Sequence, residues 1–103
     1  MKTITINGET YNYKYSLRSL FIFERITGKA FQLNDTLDTF AFFYAMLLAN
    51  NPDKKVLDFE AFIDACEQNM AIANELSAYV LDYFNNPLNK GDEGDGKDEA
   101  KKK

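Results

Sequence analysis

The chain has 103 residues, of which 46% are hydrophobic, and it carries a formal net charge of −4 without a single histidine. This length and apolar content fit one folded domain. The only run of basic residues is Lys101–Lys103, outside the part expected to fold, so the chain is a poor candidate for binding nucleic acid. One cysteine excludes an intramolecular disulfide and the longest apolar run is too short to cross a membrane, so we expect a protein of the reducing cytoplasm.

Residues 2–15 alternate apolar and polar side chains, which predicts a β-hairpin. Asn7-Gly8 lies in the middle of this segment and is the preferred pair for a type I′ turn. Such a turn places Ile6 opposite Glu9. Because a lone hairpin is marginal in water, its apolar face must pack on the helices that follow. That predicted face consists of Ile4, Ile6, Tyr11, Tyr13 and Tyr15.

Helical periodicity and capping residues predict four helices after the hairpin. Ser16, Asp35 and Asp58 are suitable N-caps, and Gly28 is a suitable C-terminal stop. The predicted ranges are 17–27, 36–49, 59–68 and 70–85. Residues 68–69 form either a short break or a bend between the last two helices. The expected fold class is mostly α (α+β), with an N-terminal β-hairpin packed on a bundle of about four helices.

Residues 1–87 are expected to form a single compact domain. Residues 88–103 contain three glycines and almost no apolar side chains, which predicts a disordered, charged tail. The spacing of the carboxylates in this tail does not match an EF-hand loop, so no metal site is expected there.

Side chains for catalysis are scarce. Cys66 lies on the apolar face of the third predicted helix, and no histidine is present to activate it, which favours a buried, inert thiol. Glu24 lies within an apolar arc of the first helix. It is either a rim carboxylate that pairs with a lysine or a backbone amide, or a partly buried anchor for the hairpin or the loop at Gly28. We therefore expect no catalytic residue, cofactor, metal or small-molecule substrate.

The first two predicted helices carry apolar residues on more than one side. On the first, Leu17, Leu20 and Phe23 form the expected core arc. On the second, the expected core face contains Leu37, Phe40, Tyr44, Leu47 and Leu48. The apolar residues left over are candidates for binding a protein partner, unless the core buries both sides of these helices. They are Ile22, Ile26, Phe31, Phe42 and Met46.

The order of these features resembles the tail assembly chaperones of long-tailed bacteriophages. Proteins of this family are similar in beginning with a short hairpin and a helix that ends in a Phe-Glu-x-x-Thr-Gly-Lys phrase, here residues 23–29. They also resemble this chain in having a later helix that ends near Asn-Pro, here Asn51-Pro52. The resemblance covers about residues 2–85.

The resemblance implies a non-enzymatic assembly factor of the bacterial host cytoplasm that is absent from the mature particle. It would bind the tape measure protein and help to recruit tail tube proteins. Independently of the resemblance, the hairpin edge and the spare apolar surface favour self-association, so a homo-oligomer is a further expectation. In many members a ribosomal frameshift adds a C-terminal domain, for which the lysine codons of residues 101–103 could supply a slippery run. The alternatives are a structural tail-completion or neck connector and a small bacterial adaptor protein.

Overall fold

A computed structural model describes residues 2–85 of the chain. The chain divides into two compact units, Met1–Ala73 and Asn74–Lys103, and each is described by itself. The predicted single domain over residues 1–87 stays a prediction. The predicted disordered tail, residues 88–103, lies outside the described residues. Within those residues the element order confirms a hairpin followed by four helices.

The hairpin consists of β1 (Lys2–Ile6) and β2 (Glu9–Tyr13), which pair antiparallel in the predicted register, with Ile6 opposite Glu9. Asn7 and Gly8 have φ values of 54° and 84°, as a type I′ turn requires. The side chains that alternate toward the helices are buried, which confirms the predicted inward face within the strands. They are Ile4, Ile6, Tyr11 and Tyr13.

Four helices follow: α1 (Leu17–Thr27), α2 (Thr36–Asn50), α3 (Phe59–Gln68) and α4 (Met70–Asn85). The side chains of Ser16, Asp35 and Asp58 each accept a hydrogen bond from a backbone N–H in the first turn of α1, α2 and α3. Gly28 ends α1 in the left-handed conformation. Asn69, with φ −143° and ψ 90°, separates α3 from α4, so the chain has a break at this point and not a bend.

Helix α2 is the central element of the first unit, because it contacts α1, β2 and α3. These neighbours explain why its sequence is apolar nearly all round: residues on several sides of it are buried at once. The buried apolar residues of α2 are Ala41, Phe42, Phe43, Ala45, Met46 and Leu47. The predicted core face was therefore incomplete, and Leu37, which it included, is 65% exposed.

The described part of the second unit is the continuation of α4 from Asn74 to Asn85. Its aromatic rings contact one another, with ring centroids 6.2 Å apart for the tilted pair Tyr79 and Tyr83 and 5.6 Å apart for the edge-on pair Tyr83 and Phe84. Across residues 2–85, none of the helices combines the length and the apolar character needed to span a bilayer.

Candidate protein-interaction surface

The predicted partner-binding residues do not form one surface. Phe42 and Met46 are 0% exposed, so the expectation that they remain free after the core is filled is wrong. The physical reason is the central position of α2, whose second apolar side is covered by its neighbours. Ile22 is half-buried, and Ile26 is 44% exposed. Of the two alternatives left open for α2, burial of both sides is therefore the one observed.

Phe31 belongs to an aromatic cluster and not to an open face. Its ring centroid lies 5.3 Å from that of Phe23 on α1 and 5.0 Å from that of Phe42 on α2. Tilted and edge-on ring pairs at these separations are favourable contacts. The half-buried Phe31 thus fastens the segment between α1 and α2 onto the core, and only its outer part is accessible.

Polar groups hold the same connecting segment, residues 28–35. The carboxylate of Glu24 accepts a hydrogen bond from the backbone N–H of Phe31 at 3.1 Å, and Glu24 is exposed, which confirms a rim carboxylate paired with a backbone amide. Because that amide follows Gly28, the bond also anchors the loop named in the other alternative, although Glu24 is not buried. The hydroxyl of Thr27 accepts a hydrogen bond from the backbone N–H of Lys29 at 3.4 Å and donates to the backbone carbonyl of Phe23 within α1 at 2.9 Å. These contacts fix the turn that follows Gly28.

Asp38 completes this arrangement from the first turn of α2. Its buried carboxylate lies 2.8 Å from the ammonium of Lys29 and accepts the backbone N–H of Asn34 at 3.2 Å. The hydrogen bond from Lys29 lowers the pKa of Asp38 below its ordinary value, with burial opposing the shift, and the same bond raises the pKa of Lys29. Asp38 is therefore held as a carboxylate that ties the connecting segment to α2.

The largest exposed apolar side chains of α1 are Leu17 and Phe21. Leu17 was predicted to lie in the core, so that prediction is wrong, and no prediction was made for Phe21. Leu17 is 64% exposed and Phe21 is 57% exposed. They are one helical turn apart and therefore lie side by side on one face. Arg18 and Arg25 flank this pair on the same side of the helix. We call these four residues the α1 face.

The position of Arg25 was the signal that could have located this face. Arg25 follows Phe21 by four residues, so both point in the same direction as Leu17 on a helix of 3.6 residues per turn. An arginine is rarely fully buried without a partner, so its direction indicates solvent. The apolar residues beside it were therefore better candidates for exposure than those on the opposite side of α1.

Two asparagines at the end of α2 have roles that the sequence analysis missed. The amide of Asn51 is buried; it accepts the backbone N–H of Asn12 at 2.9 Å and donates to the carbonyls of Asn12 at 2.8 Å and Leu47 at 2.7 Å. Asn50 donates to the carbonyls of Lys14 at 3.1 Å and Met46 at 2.7 Å. The sequence predicted a helix end here, whereas the side chains also attach β2 to α2.

The remaining chemical candidates have structural explanations. Cys66 is buried in α3, and burial raises the pKa of its thiol, which disfavours the reactive thiolate. An open surface depression of about 390 Å³ lies beside the start of α2 and includes Asp35 and Thr39. The Asp35 carboxylate caps α2, and the Thr39 hydroxyl donates to the Asp35 carbonyl at 3.0 Å, so these polar groups serve the helix start.

Among the described residues 2–85, no group of three or more cysteine or acidic side chains is arranged to hold a metal ion. The α1 face therefore remains the strongest candidate for function in the described part of the first unit. Comparisons of the chain with protein-family models, with curated proteins and with solved structures found no match.

Proposed function

We propose that this protein is a tail assembly chaperone that binds the tape measure protein through the α1 face and helps to recruit tail tube subunits. The observation that carries the proposal is the exposure of Leu17 and Phe21 side by side on α1, a helix whose opposite side is anchored in the core by Phe23. Large apolar side chains that a folded domain leaves together in water commonly mark a protein partner.

The shape of the α1 face suits a helical client. Two apolar side chains separated by one turn form a ridge that packs against the apolar stripe of an amphipathic helix. The guanidinium groups of Arg18 and Arg25 border this ridge. They can form bidentate hydrogen bonds with carboxylates on the rim of the client's apolar stripe. A client with alternating apolar and acidic positions at helical spacing would match both features.

Rigid support of α1 favours recognition over loose association. The helix is capped by Ser16 at its start and by Gly28 at its end, and the connecting segment after it is held by Glu24 and Asp38. A helix that is fixed before binding loses little conformational entropy when the client arrives. The α1 face can therefore shield an apolar segment until a tube subunit replaces it.

The decisive experiment is co-expression of the full chain with the tape measure protein that is encoded in the same group of genes. We expect the chain to keep the client soluble and to co-purify with it. The double variant Leu17→Gln/Phe21→Gln should lose both properties, because it removes the apolar ridge. Its stability should stay within about 1 kcal/mol of the wild type, since each of the two surface substitutions is expected to change folding by about 0.5 kcal/mol or less.

Leu37→Gln is the matched control. Leu37 is exposed to a similar extent but lies on α2, so its replacement also lowers surface hydrophobicity without changing the α1 face. It should leave co-purification unchanged. A client that stays insoluble with the wild-type chain would overturn the chaperone function. A double variant that protects the client as well as the wild type would instead overturn the assignment of the α1 face.

A second measurement separates the chaperone from a structural connector of the tail. Purified particles should lack this chain, because a chaperone leaves before assembly is complete. Finding it in particles at a fixed stoichiometry would favour the tail-completion or neck connector. A gene located away from tail genes would favour the small adaptor protein.

A further inference from the structure

The two outer edges of the hairpin are unequal. On β2, the backbone N–H and C=O of Asn12 point away from β1 and are both bonded to the amide of Asn51. On the same edge, the ammonium of Lys54 donates to the carbonyl of Thr10 at 2.6 Å. The backbone groups of this edge are therefore bonded to side chains from the end of α2 and the turn after it.

Among the described residues, none pairs with the outer edge of β1. In an antiparallel pair, opposite residues that are hydrogen-bonded to each other alternate with opposite residues whose N–H and C=O both point outward. Because the N–H and C=O of Asn12 point outward, those of its partner Thr3 point outward as well. The same holds for Thr5, which faces Thr10. Within residues 2–85, no hydrogen bond is made to the outward backbone groups of Thr3 and Thr5.

Apart from the exposed Lys2 at its start, strand β1 also lacks the usual protection of an edge. Natural edge strands are blunted by proline, by charged side chains or by a bulge. Residues 3–6 contain neither proline nor charge, and the pairing with β2 is continuous from Lys2 to Ile6. Such an edge is a template for a further strand.

We propose that β1 pairs antiparallel with β1 of a second copy of this chain, across a two-fold axis at Ile4. The argument for a second copy is the sequence Thr3-Ile4-Thr5, which is the same in both directions. An antiparallel pairing centred on Ile4 places each Thr3 opposite Thr5 of the other copy, and each of these pairs exchanges both of its N–H···O=C bonds. This pairing does not depend on the proposed function, because a monomeric chain could still bind a client through α1.

The side-chain faces agree with this pairing. Opposite residues in a sheet point to the same side, so the exposed threonines of both copies stay on the solvent side. Ile4 of each copy stays on the side that faces α2, where it is already buried, and the exposed Lys2 lies opposite Ile6 of the other copy on that side. The two hairpins thus become one continuous four-stranded sheet, with α2 of each copy on the same side. A two-fold contact of this kind is closed and produces a dimer.

Sedimentation of the full chain over a range of concentrations tests the pairing. The expected result is an equilibrium between the 11.8 kDa chain and a species of twice that mass. A wild-type chain that stays monomeric throughout would overturn the proposal. Amide hydrogen exchange gives an independent measurement on the unaltered protein. Exchange at Thr3 and Thr5 should slow as concentration rises, whereas Asn12, already bonded to Asn51, should show no such dependence.

Two matched double variants test the register. Thr3→Lys/Thr5→Lys places like charges opposite each other and should raise the dimer Kd about 2- to 30-fold, whereas Thr3→Glu/Thr5→Lys places opposite charges together and should lower it by a similar factor. The partners of these residues within the hairpin, Asn12 and Thr10, are uncharged, so both variants perturb the monomer similarly. Folding of each variant is checked by circular dichroism.

Net charge alone predicts the opposite order. Two added lysines change the formal charge from −4 to −2, which reduces repulsion between copies, while the Glu/Lys variant remains at −4. Weaker association of the Lys/Lys variant therefore supports the pairing of Thr3 with Thr5. If both variants are weakened equally, the axis at Ile4 is wrong, because Thr3 would then face Thr3 of the other copy. If neither changes, dimerisation does not use β1.

Discussion

Replacement of Asn51 by alanine tests how the hairpin is attached to α2. The substitution removes one acceptor and two donor contacts, and it leaves the N–H and C=O of Asn12 and the C=O of Leu47 without those partners. Each net hydrogen bond is worth about 1 kcal/mol, and a buried group left unpaired costs about 1–3 kcal/mol. Because water can reach part of this site, we expect a loss of about 2–3 kcal/mol in the free energy of unfolding.

Asn12→Ala is the matched control for this prediction. Asn12 contributes its backbone to the contact, and its own side chain is exposed. The control should therefore lie within about 0.5 kcal/mol of the wild type. Urea denaturation followed by circular dichroism gives both values. The loss for Asn51→Ala should lower the midpoint of thermal unfolding by about 10–20 °C for a domain of this size.

Asn51 contributes its side-chain amide to these two hydrogen bonds, whereas Asn12 contributes its backbone. A comparison of the two alanine variants therefore measures the contribution of the Asn51 side chain. If Asn51→Ala costs no more than Asn12→Ala, the amide does not attach the hairpin. The expected loss in the free energy of unfolding should raise hydrogen exchange at both Asn12 and Ile4 in the Asn51→Ala variant. A larger increase at Asn12 than at Ile4 would show that the β2 edge also opens locally.

Two further predictions concern the segment between α1 and α2. The lowered pKa of Asp38 means that its contribution to stability is complete above its ordinary pKa of 3.8 and is lost as the pH falls through the lower folded-state value. As the pH falls below 3.8, the urea midpoint of the wild type should decline, and that of Asp38→Asn should decline less. An equal decline in the two proteins would contradict the role of this carboxylate. Gly28→Ala should cost about 1–2 kcal/mol, because φ is +75° and the space around a new Cβ is open, so the backbone conformation alone sets the penalty. Gly28→Asn should cost less in the same urea titration, since asparagine tolerates this conformation, and equal losses would point to another cause.

The elements of this fold were predictable because their signals are local. Asn7-Gly8 specifies the turn and hence the strand register, and Ser16, Asp35 and Asp58 specify three helix starts. Each of these signals acts over two to four residues, where turn and cap geometry leaves few alternatives. The predicted bounds of α1, α3 and α4 consequently coincide with those observed, and α2 extends one residue further than predicted.

Exposure was harder to predict because it depends on the neighbours of each helix. Phe42 and Leu37 are both large apolar residues of α2, yet one is fully buried and the other is 65% exposed. Periodicity alone cannot show which side of α2 meets α1 and β2. The roles of Asn51 and Asn12 were hidden for a related reason: these residues are 39 positions apart, and nothing in the local sequence links them.

The structure also separates the resemblance from the proposed binding surface. The resemblance rests on a phrase whose residues all have local structural roles in one corner of the fold, the end of α1 and the segment after it. They are Phe23, Glu24, Thr27, Gly28 and Lys29. The structure of this corner therefore accounts for the phrase. The proposed client binding rests instead on the exposed Leu17 and Phe21, which lie outside the phrase. A variant of these two residues that fails to bind would leave the corner intact, so fold and function can be tested independently in the same chain.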